Sequence, residues 1–339
     1  MSSAGFAHHG GRLGAARAAY SDAPQPWIDL STGINPKSYP APRARGATLN
    51  RLPDTGELSR LEAVAAAAFG VGDPQRVVAT GGTEAALRLL PYVLGQKVAV
   101  VAGPTYGSHA DGWERAGVPS RVVPDSQLED SIADQTALVV VNPNNPDGRI
   151  VSRERLRRLH DAVGARGGVL VVDEAFAEVT PESSVADLAG SNEAQRLVVL
   201  RSFGKFFGLA GLRLGFVVGA PEPMARIRSM IGDWPVSVDA LAAGLAAYAD
   251  RGWAERTRVQ LARSARRLDE LLTRYGFEVV GGTSLYRLVR AGDAPVRFER
   301  LASAGILTRP FRHDSSLLRF GLPGTGDAWR RLNDVLARL

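Results

Sequence analysis

The chain has no cysteine among its 339 residues, which excludes disulfides and thiolate metal sites. Lysine is almost as scarce: of 41 lysines and arginines, only Lys37, Lys97 and Lys205 are lysine. No apolar run approaches the roughly 20 residues of a membrane-spanning helix. The opening Met1-Ser2-Ser3-Ala4-Gly5-Phe6 lacks the basic and apolar regions of a secretion signal, so a cytoplasmic protein without membrane partners is expected. There is no internal repeat and no low-complexity tract. The formal net charge is +6, but the arginines are interleaved with acids and leucines, as in Arg153-Glu154-Arg155-Leu156-Arg157-Arg158. That pattern reads as solvated helix faces, not a nucleic-acid surface. Small anionic substrates suit the charge equally well.

What remains is an ordinary globular composition, 45% apolar and 22% charged, long enough for one or two domains. Helical periodicity runs from Leu58 to Phe69, with Gly70 as a stop. Short apolar runs then alternate with helical stretches. The runs are Val77–Ala79, Val98–Val101, Leu138–Val141, Val169–Val172, Leu197–Leu200 and Leu214–Val218. The helices lie at Glu84 to Leu94, near Asp111 to Ala116, and at Arg153 to Ala165. Continuous apolar strands between helices predict an α/β fold with a mainly parallel sheet buried on both faces. After about residue 235 the pattern changes. A helical stretch from Val238 to Arg274, broken near Gly252, precedes weaker strands at Phe277–Val280, Leu285–Val289 and Leu317–Phe320 and a final helix from Asp327. The expected division is an N-terminal arm over 1–45, a large domain over 46–235 and a small α+β domain over 236–339.

Ligands of open α/β sheets bind beyond the carboxyl ends of the strands, and four strands here end in notable residues. Val77–Thr80 leads into Gly81-Gly82-Thr83-Glu84 and a helix, where exposed N–H groups suit a phosphate; a plain capped βα turn would look the same. Val141 leads into Asn142-Pro143-Asn144-Asn145-Pro146-Asp147-Gly148, whose amides can donate to an anionic ring oxygen or simply make an Asx turn. Val169–Val172 ends in Asp173-Glu174. An acid there is costly to desolvate and needs a cationic partner, either a structural one or a protonated pyridine nitrogen. Leu197–Leu200 ends in the loop carrying Ser202, Lys205 and Arg213. Arginine would serve there as a cation, but only lysine serves as a nucleophilic amine that forms Schiff bases. Together these supply what pyridoxal 5′-phosphate (PLP) requires: an amine, a ring-nitrogen carboxylate, an oxygen donor and a phosphate cup. No metal is called for.

On these motifs the chain resembles fold-type I PLP enzymes of the aspartate aminotransferase superfamily, over nearly its whole length. It is most similar to the branch holding histidinol-phosphate aminotransferases and the threonine-phosphate decarboxylases of cobalamin synthesis. The finer likeness to the decarboxylases rests on His9-Gly10-Gly11, Asp29-Leu30-Ser31-Thr32-Gly33-Ile34-Asn35-Pro36, Asp173-Glu174-Ala175-Phe176 and Trp234-Pro235-Val236-Ser237-Val238. The resemblance implies the PLP-dependent transferase-like fold, with a seven-stranded-type sheet in the large domain. It implies that Lys205 holds the cofactor covalently, Asp173 meets the pyridine nitrogen, Asn145 donates to the ring oxygen and Tyr106 stacks on the ring. Gly82, Thr83, Ser202 and Arg213 hold the cofactor phosphate. Arg319 takes the substrate α-carboxylate, Arg309 its phosphate, and His9 and Asn35 line the substrate side; His109 is read as structural. The implied activity is decarboxylation of threonine phosphate by a homodimer, with an aminotransferase or a non-catalytic sensing domain as alternatives. Two departures stand out. Phe176 replaces a tyrosine common among the aminotransferases, and Leu52 stands where relatives often have tyrosine.

Overall fold

Six apolar runs become strands of one sheet in the computed structural model, which describes residues 3–339; Met1 and Ser2, which open the segment read for a secretion signal, lie outside the described residues. The sheet has seven strands, ordered Val77–Thr80, Gly215–Val218, Leu197–Ser202, Val169–Glu174, Thr136–Val141, Val98–Gly103 and Ser120–Pro124. Gly215–Val218 runs antiparallel to both neighbours, and all other pairings are parallel. Every residue of Thr136–Val141 and Val169–Glu174 is buried, as central strands covered on both faces must be. The edge strand Ser120–Pro124 escapes periodicity because it offers only Val122 and Val123 as apolar residues, and Val122 is exposed.

The chain divides into two compact units. The larger comprises Tyr39–Asn145 and Arg149–Trp253 and holds the seven-stranded sheet. The smaller comprises the N-terminal segment through Ser38, Pro146–Gly148 and Ala254–Leu339. These bounds differ from the sequence-based 45/46 and 235/236, and packing explains why. Helix Val238–Ala249 lies on helix Thr55–Phe69: a Cβ at Gly244 would stand 2.6 Å from Leu61 Cδ1. It therefore belongs with the larger unit, and the expected break near Gly252 falls at Asp250, before helix Arg251–Arg274.

The expected N-terminal arm divides as well. Ile28-Asp29 pairs in parallel with Ile306-Leu307 of the smaller unit, and Gly321 N–H donates to Leu30 O at 2.6 Å. Tyr39 N–H instead donates to Phe207 O of the larger unit. The smaller unit's main sheet is antiparallel and ordered Arg309–Pro310, Leu317–Gly321, Tyr286–Arg290, Glu278–Thr283. Helices Ala294–Ser303 and Gly326–Leu336 belong to the same unit. The turn Pro146–Gly148 belongs to it too, because Gly282 N–H donates to Asp147 O at 2.7 Å.

Candidate active site

In the larger unit, Asp173 is the penultimate residue of a central strand and 4% exposed. Its Oδ2 lies 2.8 Å from His109 Nε2, and its Oδ1 accepts from Ala175 N–H at 2.9 Å. Side chains alternate along a strand, so the next residue, Glu174, enters a different environment. It pairs with Arg201 at 2.7 Å and accepts from Ser184 Oγ and Val185 N–H. Arg201 also meets Glu178 at 2.7 Å and lies over the Phe69 ring. Burial pushes the Glu174 carboxyl up, against the pull of Arg201. Of this adjacent acid pair, Glu174 is thus spent on a closed structural cluster and Asp173 is held by an imidazole.

Lys205 follows the neighbouring strand on a loop nailed down by aromatics. Phe203, Phe206 and Phe207 are each at most 2% exposed. Phe203 stacks on Phe207 at 4.7 Å, and Phe206 packs edge-on against Trp253. Burying three rings on the Lys205 loop fixes a segment that has no regular structure. Lys205 itself is half-buried, with Nζ 5.9 Å from the centre of the Phe176 ring. Phe176 is buried and offers no donor; Leu52, the other departure, is 62% exposed.

The first strand end leads through a glycine turn into an uncapped helix start. Gly82 has φ +94° and precedes the first residue, Thr83, of helix Thr83–Leu94. No side chain caps that helix, so its first N–H groups are open to a ligand. A Cβ at Gly82 would stand 2.5 Å from Arg213 Nη2. Only glycine lets the guanidinium lie this close to the helix start, where dipole and cation both favour a phosphate. Ser202, buried at the end of its strand, is paired in register with Gly215, whose own Cβ would stand 2.6 Å from Thr83 N. The chemistry of this donor set, a guanidinium packed on the helix start, an uncapped helix N-terminus and a nearby strand-end hydroxyl, fits the phosphate of PLP.

Tyr106 donates its hydroxyl to Glu84 at 3.0 Å, and Glu84 is held by Arg88 at 2.8 Å. Burial pushes the Tyr106 phenol up to about 12, with Glu84 adding to the effect. It stays protonated at neutral pH, and its ring stands edge-on to His109 at 6.1 Å. Asn145, buried, lies just past the Thr136–Val141 strand. All eight residues read as cofactor ligands therefore lie at or just beyond strand ends of one sheet. The sequence reading takes His109 as structural and cannot show its partner, Asp173, 64 residues away; it passes over Glu84, although Arg88 at the i+4 position is a visible signal.

The smaller unit carries the residues read as substrate ligands. Arg309 and Arg319 are opposite one another on antiparallel strands, 7% and 3% exposed. Arg319 donates to Ser31 O at 2.7 Å and lies 5.0 Å from the centre of the Tyr286 ring; Arg309 donates to His8 O at 3.3 Å. Burial first, and the like charge of Arg309 second, push the Arg319 guanidinium down to about 9. The charge of Asp29 pulls the other way, and two adjacent buried cations suit a bound anion as well. His9 is half-buried and its ring lies 4.1 Å from that of His8. Its segment is tied down by a bond from Gly11 N–H to Ser31 Oγ at 2.7 Å. Asn35 is buried and accepts from Lys37 N–H in a local turn.

Among the described residues no cluster of histidines and acids could hold a metal, and no helix is long and apolar enough to cross a membrane. A mainly parallel sheet with a lysine, a carboxylate and a phosphate cradle at its strand ends defines the class of fold-type I PLP enzymes. The model of the class I and II aminotransferases matches residues 26–331, and the chain belongs to that family. A threonine-phosphate decarboxylase of Pseudomonas aeruginosa is 38% identical over 97% of this chain and 96% of its own. One from a Sinorhizobium species is 37% identical over 98% of each. Histidinol-phosphate aminotransferases are also similar, such as that of Pectobacterium carotovorum at 33% over 84% of this chain and 83% of its own. Among solved structures, the histidinol-phosphate aminotransferase of Sinorhizobium meliloti in complex with pyridoxal-5′-phosphate superposes with TM-score 0.81 at 18% identity, covering 96% of this chain and 94% of that one. The L-threonine-O-3-phosphate decarboxylase of Porphyromonas gingivalis superposes with TM-score 0.73 at 20% identity, covering 92% and 98%.

Proposed function

We propose that this protein is a PLP-dependent lyase that decarboxylates L-threonine O-3-phosphate to (R)-1-aminopropan-2-ol phosphate, a precursor in cobalamin biosynthesis. The observation that carries the reading is the buried pair Arg309 and Arg319, suited to a substrate with two anionic groups. The two whole-length decarboxylase relatives support it. PLP, when bound, supplies an electron sink for the pair released as the bond from Cα to the carboxylate breaks. Lys205 would hold the cofactor, and it or a water would supply the proton that takes the place of the lost carboxylate at Cα. Asp173, oriented by His109 and the Ala175 N–H, would keep the pyridine nitrogen protonated, and Asn145 would donate to the ring oxygen. The Gly82–Thr83 turn, Ser202 and Arg213 would bind the cofactor phosphate, with Tyr106 against the ring. Arg319 takes the substrate carboxylate and Arg309 the substrate phosphate, with His9 and Asn35 beside them. We take the enzyme to act as a cytoplasmic homodimer.

The test is to incubate the PLP-loaded protein with threonine phosphate and no keto acid. Release of carbon dioxide and aminopropanol phosphate is expected. Turnover that requires 2-oxoglutarate would make the protein a transaminase of the histidinol-phosphate type instead.

A further inference from the structure

Asn144 is fully buried and sits between two loops that the proposed function needs. One loop succeeds the Val98–Gly103 strand and carries Pro104, Thr105 and Tyr106; the other succeeds Thr136–Val141 and carries Asn144 and Asn145. The two strands are parallel neighbours. Asn144 Nδ2 donates to Pro104 O at 3.1 Å, and its Oδ1 accepts from Thr105 Oγ1 at 2.6 Å. The orientation of the amide is set by its partners. A carbonyl oxygen can only accept, so the nitrogen must face Pro104 and the oxygen must face the hydroxyl. On its own loop the Asn144 N–H donates to Arg149 O at 2.8 Å. One side chain thus grips consecutive residues of the other loop at two points, fixing both separation and rotation, immediately before Tyr106 on one side and Asn145 on the other.

We propose that Asn144 is a positioning residue that sets Tyr106 and Asn145 together against the cofactor ring. The proposal rests on the PLP reading of the site. No other residue type has the same capacity at this size. Aspartate lacks the donor for Pro104 O and would bury a charge facing a carbonyl oxygen; alanine removes both bonds between the loops and leaves a void at a fully buried position.

The experiment compares wild type, Asn144→Asp, Asn144→Ala, Thr105→Val and Asn145→Ala, each reconstituted with PLP. The half-saturating PLP concentration and the pH midpoint of the visible absorption band are read alongside Tm. Asn144→Asp and Asn144→Ala should raise half-saturation about tenfold. They should also move the midpoint in the same direction as Asn145→Ala, by about half a pH unit, because the ring-oxygen donor is misplaced. Thr105→Val, which keeps the shape and removes one bond, should do the same to a smaller extent and serves if the Asn144 variants fail to fold. A lowered Tm with half-saturation and midpoint unchanged would overturn the proposal and leave PLP binding intact. A wild type that forms no visible band with PLP would overturn both.

Discussion

The two units bury arginine in opposite ways. Arg201 in the larger unit is closed by two carboxylates, Glu174 and Glu178, each at 2.7 Å, and by an aromatic face. In the smaller unit, Arg309 and Arg319 oppose each other across a strand pair; Arg319 donates to Ser31 O, Arg309 donates to His8 O, and the charge of Asp29 also acts on Arg319. The first arrangement sets one buried cation against two carboxylates. The second sets two buried cations side by side, an arrangement suited to a bound anion. Asp173 lies between these cases, held by His109 yet one residue from an acid wholly committed to structure.

The contrast is broken most directly by removing each arginine. Arg201→Leu strands Glu174 and Glu178 in the core, and urea unfolding should show a loss of about 3–5 kcal/mol. Arg319→Leu should leave stability unchanged or slightly raised, because it relieves like charges, while KM for threonine phosphate rises about a hundredfold. If Arg319→Leu instead unfolds the protein and Arg201→Leu does not, the distinction is wrong. A smaller effect sharpens the cradle: Gly82→Ala drives a methyl group against Arg213 and should weaken PLP binding about tenfold, read by fluorescence titration, with substrate KM unaffected at saturating cofactor. The smallest concerns Glu84. Burial would raise its pKa, but bonds from Arg88 and Tyr106 outweigh this and hold the folded value below the ordinary one. A depressed carboxyl stabilises above the unfolded value, about 4.3, and that contribution is lost as pH falls through the folded value. The gap in Tm between wild type and Glu84→Gln should therefore narrow on acidification; a gap that widens would contradict this.

Much of the larger unit was legible because its strands announce themselves locally. The runs Val98–Val101, Leu138–Val141 and Val169–Val172 became strands within two residues of their expected ends. The residues just beyond each strand end are equally local, so Gly82, Asn145, Asp173 and Lys205 could be singled out by position alone. Long-range consequences were not legible. The division at Ser38 and Trp253 depends on which helix Val238–Ala249 packs against and on the pairing of Ile28-Asp29 with Ile306-Leu307. The partnership of His109 with Asp173 and the brace from Asn144 to Thr105 join residues 64 and 39 apart, and no periodicity records them. Arg309 and Arg319 stood out by resemblance only; their burial as a facing pair is a property of the small sheet.

In the proposed function the strand ends of the large sheet serve one lysine, Lys205. With only Lys37, Lys97 and Lys205 in the chain, borohydride reduction of the PLP-loaded protein and then peptide mass mapping decide it. A pyridoxyl group is expected on Lys205 alone, with the visible band lost on reduction and absent in Lys205→Ala. A label on Lys37 or Lys97 in place of Lys205, or no label from a protein that still turns over substrate, would contradict it.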